Sequence, residues 1–253
     1  MNNIRDRFNK YIEECNQIVC VTCYDASFSK ILDDLKIDIV LVGDSLGMVV
    51  KGDDDTHSVT IDEVAYHTSC VAKHKNNFVL MSDMPINSCL DKNTALLYAK
   101  KLLNVSADIV KIEYQDENKN IIEELISENI PVCGHLGFLP QYISDKKDVR
   151  IYGKNKSEWD QILGQAKTLE NLGVDMILLE CVDKDLSKLI TQSISIPVIG
   201  IGSGESCNGQ VQVLYDIIGI SKSPPRFSKN YLKESSGITE AIKNFYDYVK
   251  AIK

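Results

Sequence analysis

Short runs of Val, Ile and Leu recur along the chain, nearly unbroken, and most close on a polar residue. After each comes a longer stretch whose apolar residues return at helical spacing. The runs cover residues 18–25, 37–45, 78–85, 107–113, 130–137, 174–181 and 196–204. Continuous apolar runs of this length suit parallel strands covered on both faces. An eighth run, at 226–231, is weaker and is placed there partly from the count. The intervening stretches carry helix punctuation. Thr60 and Glu63 form a capping box ahead of Tyr66, His67, Val71 and His74. Asp91 and Asp183 suit N-caps. Ser157 opens a helix over 158–172, and Gly173 stands where its end requires a left-handed residue. In the closing stretch, 237–253, Ile238, Ile242, Phe245 and Val249 share a helical face.

Strand and helix in alternation imply right-handed crossovers and a parallel sheet. Seven or eight such units favour a closed (β/α)8 TIM barrel with an N-terminal and a C-terminal helix, an open doubly wound sheet being the alternative. No linker or change of composition interrupts residues 1–253, which read as one domain. Two strand-following loops are long, at 46–59 and 137–156, and would lie on the catalytic face. The first holds Asp53, Asp54 and Asp55; the second holds Lys146, Lys147, Arg150, Lys154 and Lys156.

Composition narrows this picture. The 253 residues match the ~250 typical of such a barrel. With 44% hydrophobic and 25% charged residues, a core is available and disorder is excluded. A net charge of -8 argues against nucleic-acid binding. The first residues lack the apolar region of a secretory signal, and no apolar run approaches a membrane span, so a cytoplasmic location is expected. In that compartment the eight cysteines read as reduced, structural thiols. Cys20 and Cys23, three apart on an extended strand, would face opposite sides and make neither a zinc site nor a redox pair.

Barrel chemistry sits at the C-terminal ends of strands. Those ends read Asp25, Asp44 with Ser45, Asp83, Lys111 with Glu113, His135, Glu180 and Ser203. Each residue alone has a bland account, since an Asp after a strand often only caps the next helix. Lys111 and Glu113, however, lie two apart and share a face, which is improbable as packing. Asp44, Asp83 and Glu113 would repel one another unless a cation neutralised them, and oxygen-only ligands favour Mg²⁺. An ion-pair network with Lys111 is the alternative. Such a cation could grip a 2-keto acid and acidify the neighbouring C–H, with Glu180 or His135 as base. Gly200, Gly202 and Gly204, following a strand and preceding a helix, form a tight turn or an anion site but lack dinucleotide spacing. His67 and His74 share a helix face, with little to suggest a metal.

At these residues the sequence resembles the ketopantoate hydroxymethyltransferase family. The likeness is carried by 21–25 (VTCYD), 41–48 (LVGDSLGM), Val59-Thr60 with Tyr66-His67, Asp83-Met-Pro85, 110–113 (VKIE), 134–137 (GHLG) with Pro140-Gln141, 179–181 (LEC), 196–204 (IPVIGIGSG) and 207–211 (CNGQV). The resemblance implies a barrel of the phosphoenolpyruvate/pyruvate type. It implies transfer of a hydroxymethyl group from 5,10-methylenetetrahydrofolate to 3-methyl-2-oxobutanoate, giving 2-dehydropantoate through a Mg-stabilised enolate in pantothenate biosynthesis. It assigns Asp44, Asp83 and Glu113 to the metal, and Asp44, Ser45, Asp83 and Lys111 to the keto acid. Glu180 becomes the proton acceptor, with Lys111 and His135 beside it. It also implies a homo-oligomer, commonly a decamer, and a basic loop that could meet the folate's glutamate tail. Tyr114, Gln115, the residues 86–89, Asn208 and Tyr215 depart from the family pattern and bear on the shape of the pocket. The rival readings are a Mg-dependent keto-acid lyase or mutase of the same barrel group and a catalytically silent scaffold paralogue.

Overall fold

The computed structural model describes residues 4–14, 16–143 and 150–252. Eight parallel strands form a closed barrel in sequence order: β1 (Ile18–Thr22), β2 (Ile39–Val42), β3 (Val79–Asp83), β4 (Ile109–Glu113), β5 (Val132–Gly137), β6 (Met176–Glu180), β7 (Val198–Ile201) and β8 (Gly209–Gln212). Closure comes from β8, which pairs with β1 from Ile18↔Gly209 to Val21↔Gln212. The first seven strands fall inside the apolar runs, each shorter than its run because the flanking residues turn into loops.

Side chains alternate between two cores, as strand geometry demands. Ile18, Cys20, Ile39, Leu41, Val79, Met81, Ile109, Cys133, Met176, Leu178 and Ile199 fill the barrel. Their neighbours, such as Val19, Val40, Leu80, Val110 and Ile177, face the helices. Cys20 and Cys23 thus lie in different cores, and both are free thiols. Helix α1 (Ile4–Glu13) sends Phe8 into the inner cluster with no exposure, while Arg7 donates to Asn77 O ahead of β3. The helix therefore closes the N-terminal end of the barrel.

Around the barrel run α2 (Ala26–Asp34), α3 (Ile61–Val71), α4 (Lys92–Asn104), α5 (Lys119–Ser127), α6 (Lys156–Leu172), α7 (Lys184–Ser193), the single turn α8 (Leu214–Ile217) and α9 (Ile238–Ala251). The Thr60–Glu63 capping box and the caps at Asp91 and Asp183 are present, and Gly173 ends α6 at φ 96°. The cap of α6 is Asn155 rather than Ser157: its side chain accepts from Glu158 N, and the helix starts earlier. In α9, Ile242, Phe245 and Val249 are buried but Ile238 is 41% exposed.

The eighth strand lies elsewhere than expected. Residues 226–231 form turn and coil, and β8 is Gly209–Gln212, where Val211 is the lone large apolar side chain. With so little apolar signal, this strand is fixed by its pairing with β7 and β1 and not by its composition. The glycine segment accordingly leads into a strand, not a helix. Residues 202–208 cross from β7 to β8 in far fewer residues than the dozen or so usual for parallel neighbours. Gly202 and Gly204, at φ 61° and 81°, make this turn possible. Among the described residues no helix is long and apolar enough to cross a membrane.

One polar joint links the helical layer to the barrel. Asp33, at the end of α2, accepts from the backbone N–H and the side-chain amide of both Asn76 and Asn77, just before β3. Burial pushes its carboxyl up, but these donors outweigh burial and hold it below the ordinary carboxylate value. Asp33→Ala strands two backbone donors and is expected to cost about 2 kcal/mol near neutral pH. Because the folded-state pKa is depressed, the wild type's advantage exists above the unfolded-state pKa and is lost as pH falls through the folded one. Urea unfolding of both proteins from pH 7 down to pH 3 should show the gap closing; a constant gap would contradict the assignment.

Candidate active site

The inward-facing positions along each strand change character near its C-terminal end. On β3, Val79 and Met81 lead to Asp83; on β4, Ile109 leads to Lys111 and Glu113; on β5, Cys133 leads to His135; on β6, Met176 and Leu178 lead to Glu180. Period two carries these polar groups onto the barrel axis above an apolar floor. Register sets their levels, with Asp83 beside Lys111 and Glu113 beside His135. On β2 the equivalent inward position is Gly43, where a Cβ would meet Ser45 Oγ at 2.9 Å and Asp83 Oδ2 at 3.4 Å. Glycine there leaves room for Asp83, and Asp44 follows in the loop with its backbone N–H donating to Asp83 Oδ2 at 2.8 Å.

The groups form a chain of contacts. Lys111 Nζ lies 3.0 Å from Asp83 Oδ1 and 3.4 Å from His135 Nδ1. His135 Nδ1 is 3.8 Å from Glu113 Oε1, and Nε2 is 3.3 Å from Glu180 Oε2. Neither Asp83 Oδ1 nor His135 Nε2 has an aligned hydrogen bond despite these short distances. An ammonium can only donate, so His135 Nδ1 accepts and the ring proton belongs on Nε2, facing Glu180. Beside this chain, Tyr24 OH lies 2.8 Å from Ser45 Oγ and donates to Thr22 Oγ1. His67 Nδ1 lies 2.6 Å from Tyr24 O, which gives His67 a structural partner.

Burial governs the ionisation of the set. It pushes the Asp83 carboxyl up to about 7, with Lys111 opposing and Asp44 adding. Burial, together with the charge of Asp44, raises Glu113 well above the ordinary value. Burial takes Glu180 to about 8, although a side chain still 20% exposed lets solvent temper this. His135 is lowered well below its ordinary value by burial and by Lys111, so it is neutral. Burial also works against charge on Lys111, but Asp83, Asp44 and Glu113 overcome it and raise its pKa.

The expected three-carboxylate cage is not ready-made. Among the described residues no three His, Cys, Asp or Glu side chains are arranged as a metal-holding group. Asp44 and Asp83 meet directly, but Glu113 is joined to Asp44 through Gln141. The Gln141 backbone N–H donates to Glu113 Oε2 at 3.1 Å, and its side chain donates to Asp44 Oδ2 at 2.9 Å. Gln141 was visible in the sequence only as part of the Pro140-Gln141 string. It lies in a loop, where no periodicity indicates direction.

Other expected residues have partners outside the carboxylate ring. Asp25 caps α2, accepting from Ser27 N and Phe28 N. Ser203 braces the end of β6, donating to Leu179 O and accepting from Val182 N. In the 46–59 loop, Asp53 pairs with Ser58 and Lys51, and Asp55 accepts from His57 N. Lys146 and Lys147 lie outside the described residues, while Arg150 pairs with Glu158 at 2.6 Å and Lys156 with Asp160 at 2.8 Å. Tyr114 and Gln115 line a side cleft with Tyr152, outside the carboxylate ring.

A family model described as ketopantoate hydroxymethyltransferase matches residues 3–253. The 3-methyl-2-oxobutanoate hydroxymethyltransferase of Shewanella sediminis is 40% identical over 241 residues, covering 95% of this chain and 91% of that relative. Its namesake from Marinobacter nauticus is 40% identical over 252 residues, covering 99% of this chain and 94% of its own. Among solved structures, 2,3-dimethylmalate lyase, a PEP mutase/isocitrate lyase superfamily member, matches with a TM-score of 0.64, covering 99% of this chain and 97% of that one. At 11% identity that likeness is one of fold.

Lys111→Met tests the electrostatics described above. Removing the ammonium leaves buried carboxylates unpaired, at an expected cost of about 3–5 kcal/mol. Without Lys111 the Asp83 pKa rises further above about 7. A raised folded-state pKa gives stability that is present at low pH and lost as pH rises, so the damage should be largest at pH 8 and shrink toward pH 5. Equal damage at both pH values in denaturant titrations would contradict this.

Proposed function

The chain belongs to the ketopantoate hydroxymethyltransferase family, and we propose that it transfers a hydroxymethyl group from 5,10-methylenetetrahydrofolate to 3-methyl-2-oxobutanoate, giving 2-dehydropantoate, with Mg²⁺ at the barrel mouth. The observation that carries this reading is the family match over residues 3–253. The polar ring supplies suitable parts.

The residues fit a divalent cation. Among the described residues, Asp44, Asp83, Glu113 and Glu180 place four carboxylates around the Lys111 ammonium and a neutral His135. That excess requires protons or a further cation. Asp83 Oδ1, buried without an aligned hydrogen bond, offers an oxygen to one. Mg²⁺ uses few protein carboxylates and completes its shell with water and substrate, so a full cage is not needed. Asp44, Asp83 and Glu113 would hold it. When bound, the ion supplies Lewis-acid polarisation of the keto acid's carboxylate and keto oxygens.

The chain's own groups do the rest. Lys111 places a fixed positive charge where negative charge develops on the keto oxygen. Ser45, whose hydroxyl donates to Tyr24 OH at 2.8 Å, stands beside Asp44 and would turn that proton to the substrate carboxylate. Glu180 would take the C3 proton. C3 then bonds the folate's methylene carbon as the C–N bonds holding that carbon break, water supplies the hydroxyl oxygen, and tetrahydrofolate leaves. A carboxyl raised toward the working pH is a stronger base than a solvated one. His135, with its proton on Nε2 and 3.3 Å from Glu180 Oε2, would orient that carboxylate once the two align.

The test follows exchange of the C3 proton of 3-methyl-2-oxobutanoate by NMR in D₂O with Mg²⁺. The wild type should exchange it, and the rate should fall toward low pH, because the base must be deprotonated. Glu180→Gln should bind the keto acid yet lose exchange by roughly 10²-fold or more. Near-normal exchange in that variant would remove Glu180 from the role. Exchange in the wild type without turnover on adding methylenetetrahydrofolate would leave enolisation standing and sink the transferase reading.

A further inference from the structure

We infer that Gln141 is a positioning residue that sets the carboxylates of Asp44 and Glu113 for the divalent cation, an inference that rests on the metal reading above. The carboxylates come from the ends of three strands, and Gln141 reaches all three ends from the segment that follows a fourth. Its side-chain amide donates to Asp44 Oδ2 at 2.9 Å, after β2, and to Met84 O at 3.0 Å, after β3. Its backbone N–H points at both Glu113 oxygens, at 3.1 and 3.4 Å, on β4. Each hydrogen of the amide thus has an acceptor, which fixes how the group is turned.

The segment around it is anchored from the other side. Pro140 opens a short turn, Pro140–Tyr142, that holds Gln141 over the mouth. Pro140 O lies 3.1 Å from His57 Nε2, a contact across to the 46–59 loop. The strand ends do not need Gln141 for their sheet pairing, which is complete without it. What the residue does is occupy one oxygen of Asp44 and both of Glu113 with donors. That restricts the rotation of two carboxylates and leaves Asp44 Oδ1 as the oxygen free of Gln141. Hydrogen bonds to metal-ligating carboxylates act in this way, and losing them weakens metal binding or activity by roughly 10–100-fold.

The experiment measures Mn²⁺ binding to the full-length protein by electron paramagnetic resonance, with no substrate present. Gln141→Met keeps length and bulk but removes the two amide hydrogens on Asp44 and Met84 O, its backbone N–H to Glu113 remaining, while Gln141→Glu sets a like charge against Asp44. Thermal unfolding is recorded in parallel. The expected result is a Kd for Mn²⁺ about 10-fold weaker in Gln141→Met, with the wild-type Tm retained. Gln141→Glu, if the first variant folds poorly, should also leave Asp44 misdirected and lose affinity. Wild-type affinity in either folded variant would overturn the inference while leaving the metal reading intact. Tighter binding in Gln141→Met would overturn it too, since Gln141 would then compete with the ion. Absence of Mn²⁺ binding in the wild type would overturn both.

Discussion

Lys111 carries its ammonium inside the barrel at 5% exposure, 3.0 Å from Asp83 and 3.4 Å from His135. A charge in that medium persists only when opposite charge lies close and fixed. Here the compensation is more than complete, because Asp83, Asp44 and Glu113 all act to hold Lys111 protonated. The surplus of carboxylate then becomes the governing fact of the site. Burial, with the charge of Asp44 adding, brings Asp83 and Glu180 close to neutral pH in their titration, and the surplus makes room for a second positive charge. Local stability draws on this imbalance, as do the ligand binding and proton transfer proposed above.

The barrel makes the arrangement inexpensive to build. The same alternation that stacks Val79 and Met81, or Met176 and Leu178, into the floor delivers Asp83 and Glu180 to the mouth one step later. Phe8 seals the other end, so the polar groups stand over dry, packed side chains. Around them, burial raises carboxyl pKa values, while the Glu180 side chain stays 20% exposed. Gly43 and Gly137 are the backbone concessions. The first gives Asp83 its space, and the second, at φ 96°, lets the chain leave β5 where an added Cβ would lie 2.3 Å from Glu180 O.

What the sequence disclosed follows from where its signal lies. Seven strands announce themselves through apolar continuity, and the groups at their ends were legible because alternation fixes which way they point. The strand Gly209–Gln212 was not, since glycine, two glutamines and one valine hold their place through partners far along the chain. Asp25 and Ser203 show the converse: a polar residue after a strand reads alike whether it faces the mouth or, as here, caps a helix or braces a neighbour. Gln141 sits in a turn, where neither period nor burial pattern applies. Its reach across three strand ends exists only in three dimensions.

If surplus carboxylate at the mouth is relieved by a divalent cation, binding must displace the protons that relieve it otherwise. Titrating the protein with MgCl₂ and 3-methyl-2-oxobutanoate in weakly buffered solution at pH 7, while recording pH, counts them directly. Net proton release that saturates with ligand is the predicted result. Saturable binding that leaves the pH unchanged would contradict it.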